Sequence, residues 1–194
     1  MERYEFTDTS DAPQVHISEV NGSLRIKGWD RNEIRVEADS EDAANVKVKG
    51  DRFDISCNSG CLIRVPHLSA LNIGDVKSDL MLKSLEGDID IQSVDGQALL
   101  KAIGDTEIQK INGNFSARQV EGDLKLHAAN GNVSIRDVEG VVELEKSTGN
   151  LSFRGIAQSM NAETSGNAIL RLEPESGGKR QKSLKVCSVL FLIH

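Results

Sequence analysis

The chain has 194 residues, enough for one domain or one elongated array. Hydrophobic residues make up 38% of it and aromatic residues only 4%, which favours a core of small aliphatic side chains over a broad core with aromatic anchors. The net charge of −7 argues against bulk binding to nucleic acid or an anionic membrane, though not against a local basic stripe, and three cysteines are too few for a disulfide-dense secreted scaffold.

The opening "MERYEFTDTSDAPQ" contains no apolar run of the kind a signal peptide carries. "QVHISEVNGSLRIKGWD" and "NEIRVEADS" read as strands around an Asn21-Gly22 turn, and Gly22 leads Leu24, Ile26 and Trp29. "SEDAAN" is a polar loop, and "NVKVKGDRFDISCNSGCLIRVP" adds shorter alternating pieces. Cys57 and Cys61 flank "NSG", a hairpin turn. They read as two small buried thiols, with a cross-strand bridge as the alternative; a C-x3-C pair with no second pair is weak evidence for a metal. Residues 1–68 are expected to form irregular strands that cover the open N-terminal end of a repeat array, since a bare end is an edge that invites aggregation.

That repeat array spans residues 69–172. Glycines fall at 113, 122, 131 and 140, nine residues apart. With glycine as position zero, apolar residues recur at positions two, four and seven: Ile89, Ile91 and Val94 after Gly87; Ala98, Leu100 and Ile103 after Gly96; Phe115, Ala117 and Val120 after Gly113. Gly122, Gly131 and Gly149 lead similar sets, the last being Leu151, Phe153 and Ile156, and Ser69 and Ser78 lead two more without a glycine. One residue is missing before Gly104, whose unit still ends on Ile108 and Ile111. Alternation at positions two and four predicts a strand with one buried face. The apolar residue at seven breaks the alternation, so the chain bends there. The glycine supplies either a positive φ or a corner with no Cβ to clash.

Nine residues cannot close a coil around a filled core, but eighteen can. An eighteen-residue alternation is present: Gly113, Gly131, Gly149 and Gly166 are followed by Asn114, Asn132, Asn150 and Asn167, whereas Gly87, Gly104 and Gly122 are followed by Asp88, Asp105 and Asp123. The predicted fold is all-β, a single-domain parallel β-solenoid (β-helix) of eighteen-residue coils, right-handed by the usual crossover preference. Its core is a column of Ile, Leu, Val and Ala filled out by Phe115 and Phe153. Coils ~4.8 Å apart stack identical side chains into ladders, and the asparagines suit a structural ladder because an amide both donates and accepts. Ordinary turn chemistry accounts for both the Asn and the Asp sets equally well.

Beyond "NAILRLEPESGG" the repeat stops, and residues 173–194 carry a basic cluster and the apolar end "VCSVLFLIH". That end is far too short to span a bilayer. It reads as a cap strand, with a partner-binding segment or sequence foreign to the domain as alternatives.

One outward position in the Asn-type units is always cationic: Lys83, Lys101, Arg118, Arg136, Arg154 and Arg171. Nothing in the fold requires a cation there. A column of such groups suits a linear polyanion such as an acidic glycan or teichoic-type polymer. The competing reading, given the greater weight, is a solvated face neutralised by carboxylates such as Asp90, Glu107, Asp137, Glu143 and Glu145. Catalytic motifs are absent, no cofactor or metal site is expected, and His16, His67, His127 and His194 are scattered, His127 reading as solvated. An acidic-polysaccharide lyase or hydrolase built on Asp88, Asp105 and Asp123 is the enzymatic alternative, and a purely structural spacer is the third reading.

"LEGDIDIQSVDGQALLKAIGDTEIQKINGNFSARQVEGDLKLHAANGNVSIRDVEG" resembles the bacterial putative-adhesin family, a β-strand-repeat domain of unknown function. "NGSLRIKGWDRNEIRVEA" resembles that family's entry segment and "LIRVPHLSALNI" its Pro-containing step into the regular coils. The resemblance implies a β-solenoid, often attached to bacterial envelope proteins, without established catalytic residues; with the cation column and the net charge, the expected partner is an acidic glycan or another envelope protein and not nucleic acid. The chain departs from the family in its last sixteen residues.

Overall fold

The computed structural model describes residues 2–39, 43–155, 159–172, 184–187 and 190–192. All regular structure among them is β. The first strands in chain order are β1 (Glu2–Phe6), β2 (Gln14–Val20), β3 (Leu24–Trp29), β4 (Ile34–Ala38), β5 (Ala44–Lys49), β6 (Arg52–Cys57) and β7 (Cys61–Pro66). The repeat supplies β8 (Ala70–Val76), β9 (Leu80–Leu85), β10 (Ile89–Val94), β11 (Ala98–Ile103), β12 (Thr106–Ile111), β13 (Phe115–Val120), β14 (Leu124–Ala129), β15 (Val133–Val138), β16 (Val141–Ser147), β17 (Leu151–Gly155), β18 (Ser159–Thr164) and β19 (Ala168–Leu172). Two short strands close the series, β20 (Leu184–Cys187) and β21 (Leu190–Leu192).

From β8 onward the strands alternate between two sheets, so each coil gives one strand to each and consecutive coils pair in parallel. This is the β-solenoid predicted from the repeat. The first sheet runs β1-β4-β7-β3-β9-β11-β13-β15-β17-β19-β21 and the second β20-β18-β16-β14-β12-β10-β8-β2-β6-β5. The core lies between them. In β9, Leu80 and Leu82 point inward, Met81 and Lys83 point out, and Leu85 points inward again. Phe115 and Phe153 are the largest fully buried side chains. Ile156 of the expected core falls outside the described residues.

The break in alternation has a local cause in the first sheet. Ser84, Ala102, Gln119, Asp137 and Gly155 occupy the same place in five successive strands, and all have positive φ, between 52° and 112°. A left-handed residue inserted into a strand acts as a bulge that re-aims the next side chain, here returning Leu85, Ile103, Val120 and Val138 to the core.

The corner glycines answer to a different constraint. Among the described glycines only Gly50 and Gly155 have positive φ, so the corner glycines of the repeat are not there for a left-handed backbone. A Cβ built on Gly131 would lie 2.4 Å from the carbonyl oxygen of Gly113, and one on Gly149 2.5 Å from that of Gly131. Each coil's corner therefore sits against the backbone of the corner before it, leaving no volume for a side chain.

The N-terminal part does not stack in chain order. The coil β2–β3 lies between β6–β7 on one side and β8–β9 on the other, parallel to both. The chain builds one coil, adds a second on its N-terminal side, and returns past the first to begin the regular array. Antiparallel strands then cover that end: β5 on β6, β4 on β7 and β1 on β4. β5 exposes Lys47 and Lys49 at its edge, the charge that keeps an edge strand from pairing with another chain. Cys57 and Cys61 are free thiols, both buried, with their sulfurs 2.6 Å apart; the hydrogen bond to Cys57 and burial push the Cys61 thiol up, so it stays protonated. At the other end β20 and β21 add parallel to β18 and β19; the rest of 173–194 lies outside the described residues.

Replacing Gly131 by Ala should lower stability by about 1–3 kcal/mol in urea unfolding, because the added methyl meets backbone that cannot move aside. Ser134→Ala, on the outer face of the next strand, should stay within about 0.5 kcal/mol of wild type.

Candidate functional site

Parallel in-register pairing places equivalent residues of successive coils side by side, ~4.8 Å apart. The six cations singled out in the sequence form one such column: Lys83 pairs with Lys101, Lys101 with Arg118, Arg118 with Arg136, Arg136 with Arg154, and Arg154 with Arg171. The column is longer than the repeat suggested. Lys27 of β3 sits beside Lys83, Arg64 of β7 beside Lys27, and Arg35 of β4 beside Arg64. Lys27 had a legible signal, since it stands five residues after Gly22 as Arg118 does after Gly113. Arg64 and Arg35 had none, because their strands belong to the out-of-order coil and its antiparallel cover.

The column divides in its pairing. Arg35 is bridged to Glu5, and Arg64 to Glu37 at 2.9 Å. Among the described residues Lys27, Lys83, Lys101, Arg118 and Arg136 make no ion pair with a carboxylate. The counter-charges expected from sequence are elsewhere. Asp90, Glu107 and Glu143 point outward from the second sheet, in register with one another and with Lys125, and Glu145 lies on that sheet too. Asp137 alone is a neighbour, next to Arg136 in β15.

Beside the cations on the same wall runs a second outward column: Arg25, Met81, Leu99, Ser116, Ser134, Ser152 and Ile169. Met81 and Leu99 are 43% and 42% exposed. Between β3 and β19 these two columns contain no acidic residue, so on this face of a net-negative protein both columns carry only cations and neutral side chains, with Asp137 beside them. The opposite wall carries both signs, with Asp90, Glu107, Lys125 and Glu143 in one column.

That opposite wall holds a three-coil staple. His127 of β14 contacts Glu107 of β12 through Nε2 at 2.8 Å and Glu145 of β16 through Nδ1 at 2.8 Å. The hydrogen bond to Glu107, then that to Glu145, raises the imidazole above its ordinary value, and the His127 contact holds Glu107 below the usual carboxylate range. The side chain is only 23% exposed, so it is a bound group rather than the solvated histidine expected from its outward position. Sequence inspection missed it because its partners lie 18 and 20 residues away on neighbouring coils.

The polar corners are engaged in structure. Asn114 Oδ1 accepts from the Asn132 backbone N–H at 2.9 Å, Asn132 Oδ1 from that of Asn150 at 3.0 Å, and Asn150 Oδ1 from that of Asn167 at 3.1 Å. Amide-to-amide donation occurs once in this column, from Asn150 Nδ2 to Asn132 Oδ1 at 3.2 Å. A second ladder runs alongside, Asn130 to Asn112 to Asp95. Asp105 and Asp123 do the same work at the other corner, accepting from the backbone N–H of Asp123 and Val141, each at 2.7 Å. They border an open groove of about 590 Å³ with Asp88, Asp90, Glu107 and Glu143. No group of His, Cys, Asp or Glu side chains suited to a metal ion occurs among the described residues, and no helix there is long and apolar enough to cross a membrane.

The architecture is that of a β-solenoid with one cationic and one mixed wall. No protein-family model and no curated protein matches the chain. Among solved structures it is similar to a "putative adhesin" of Bacteroides fragilis at 15% identity and a TM-score of 0.45, covering 99% of this chain and 96% of that one. It is also similar to a "putative adhesin" of Parabacteroides merdae, at 9% identity and a TM-score of 0.41 over 100% and 96% of the two chains. A "putative cell adhesion protein" of Clostridium sporogenes aligns at 12% identity and a TM-score of 0.30 over 98% and 94%.

The staple predicts a pH profile. A raised histidine contributes stability fully below 6.5 and loses it as pH climbs through the raised value; the lowered Glu107 contributes above 4.5 and loses it as pH falls through the lowered value. The Tm difference between wild type and His127→Gln should therefore be widest between pH 4.5 and 6.5 and shrink on the alkaline side. A difference that instead grows toward high pH would mean that His127 acts as a neutral ring.

Proposed function

We propose that the chain is a non-enzymatic, adhesin-like binding module whose cationic wall holds linear polyanions, with acidic glycans as the leading class. The observation that supports this reading is the contrast between the two walls. A charge ladder that only solvates a surface gains nothing from sorting its signs, and the second sheet shows the mixed pattern that solvation produces. On the first sheet each cation repels the next within the screening length of about 8 Å, with no carboxylate column to relieve it. A polyanion laid along the column removes that repulsion and gains a charge-assisted contact at each rung.

The enzymatic alternative finds less support. The acceptor atoms of Asp105 and Asp123 already receive backbone N–H groups of the next coil, and the groove beside them is open along the wall. The reading accords with the adhesin-family resemblance of the sequence and assigns no cofactor.

The triple variant Lys101→Glu, Arg118→Glu, Arg136→Glu, with its fold verified by circular dichroism, tests the assignment. Wild type should retain polygalacturonate or heparin on titration at low salt and release it as salt rises, while the variant binds neither at any salt. Equal binding by both proteins would move the site off this wall. Binding by neither would leave the solenoid as a spacer.

A further inference from the structure

The two outward columns of the cationic wall change character together. In β9 and β11 the cation is Lys and its neighbour is apolar: Lys83 with Met81, Lys101 with Leu99. In β13, β15 and β17 the cation is Arg and its neighbour is Ser: Arg118 with Ser116, Arg136 with Ser134, Arg154 with Ser152. Three consecutive rungs thus repeat one planar guanidinium and one hydroxyl, in register. Some hydroxyls elsewhere are spent internally: Ser69 donates to the Pro66 carbonyl at 2.7 Å and Thr148 to that of Asn130 at 2.8 Å. Among the described residues no hydrogen bond occupies the hydroxyls of Ser116, Ser134 and Ser152.

We propose that these three Arg–Ser rungs are a subsite for a linear polyuronate lying along the solenoid axis. The inference rests on the polyanion-binding reading above and narrows it. The guanidinium fork matches a carboxylate in two parallel hydrogen bonds, which an ammonium cannot do. The serine hydroxyl both donates and accepts, which suits the hydroxyls of the same sugar ring. A polyuronate carries one carboxylate and free hydroxyls on each ring, so a chain along the axis offers both groups repeatedly, whereas polyphosphate offers no neutral group to the serine column.

The test compares polygalacturonate with inorganic polyphosphate of similar length, by calorimetric titration of the full chain at low salt. Wild type should prefer polygalacturonate. The triple variant Ser116→Ala, Ser134→Ala, Ser152→Ala should lose about a hundredfold in affinity for polygalacturonate, as expected for three lost hydrogen bonds, and nothing for polyphosphate. The charge-preserving variant Arg118→Lys, Arg136→Lys, Arg154→Lys should weaken polygalacturonate binding although the wall keeps its charge. Equal wild-type affinity for the two polymers, or unchanged polygalacturonate binding in the serine variant, overturns the subsite while leaving a charge-driven wall in place. Failure of wild type to bind either polymer overturns both readings.

Discussion

The parallel register between coils is the constraint on which everything else depends. Each backbone N–H and C=O of one coil is satisfied by the coils above and below, as in the bonds from Phe115 N to Asn132 O and from Val133 N to Asn150 O, both at 2.9 Å. That pairing holds only if equivalent positions stay aligned, so every sequence position becomes a column. A column tolerates only side chains that can sit beside their own kind at ~4.8 Å. The apolar columns fill the core. The asparagine column replaces repulsion with a hydrogen bond to the next coil. The glycine column exists because corner backbone presses on corner backbone.

The same constraint makes the cationic column costly and therefore informative. Like charges in register repel, and the second sheet offsets this by setting Lys125 between Glu107 and Glu143 and by tying His127 between Glu107 and Glu145. In the first sheet Glu5 and Glu37 neutralise Arg35 and Arg64 at the N-terminal end. Over the regular coils no such column of carboxylates accompanies the cations. The column is a surface feature that the repeat itself does not require.

The N-terminal end shows how a repeat stops without leaving a template for another copy. Antiparallel strands laid across the β6–β7 coil change the direction of the backbone, and lysines mark the last edge. Placing the β2–β3 coil inside the stack ties the cover to the array, since the chain cannot unwind the end coil without passing the one beside it.

Much of this was legible in the sequence. The nine-residue period fixed the strands from 69 to 172, the core positions at two, four and seven, and the two-sheet coil, because inward and outward positions follow from strand periodicity alone. The alignment of Lys83 through Arg171 followed from the same count. What the sequence could not supply was anything that depends on which coil lies beside which. The place of β2–β3 within the stack, the extension of the cation column to Lys27, Arg64 and Arg35, and the grip of two glutamates on His127 are relations between residues 18 or more apart. The sequence likewise left the glycines ambiguous between a left-handed turn and a crowded corner, and the carboxylates ambiguous between neighbours of the arginines and occupants of the other wall. Local periodicity determines the face on which a side chain lies; only the stacked backbone decides what stands next to it.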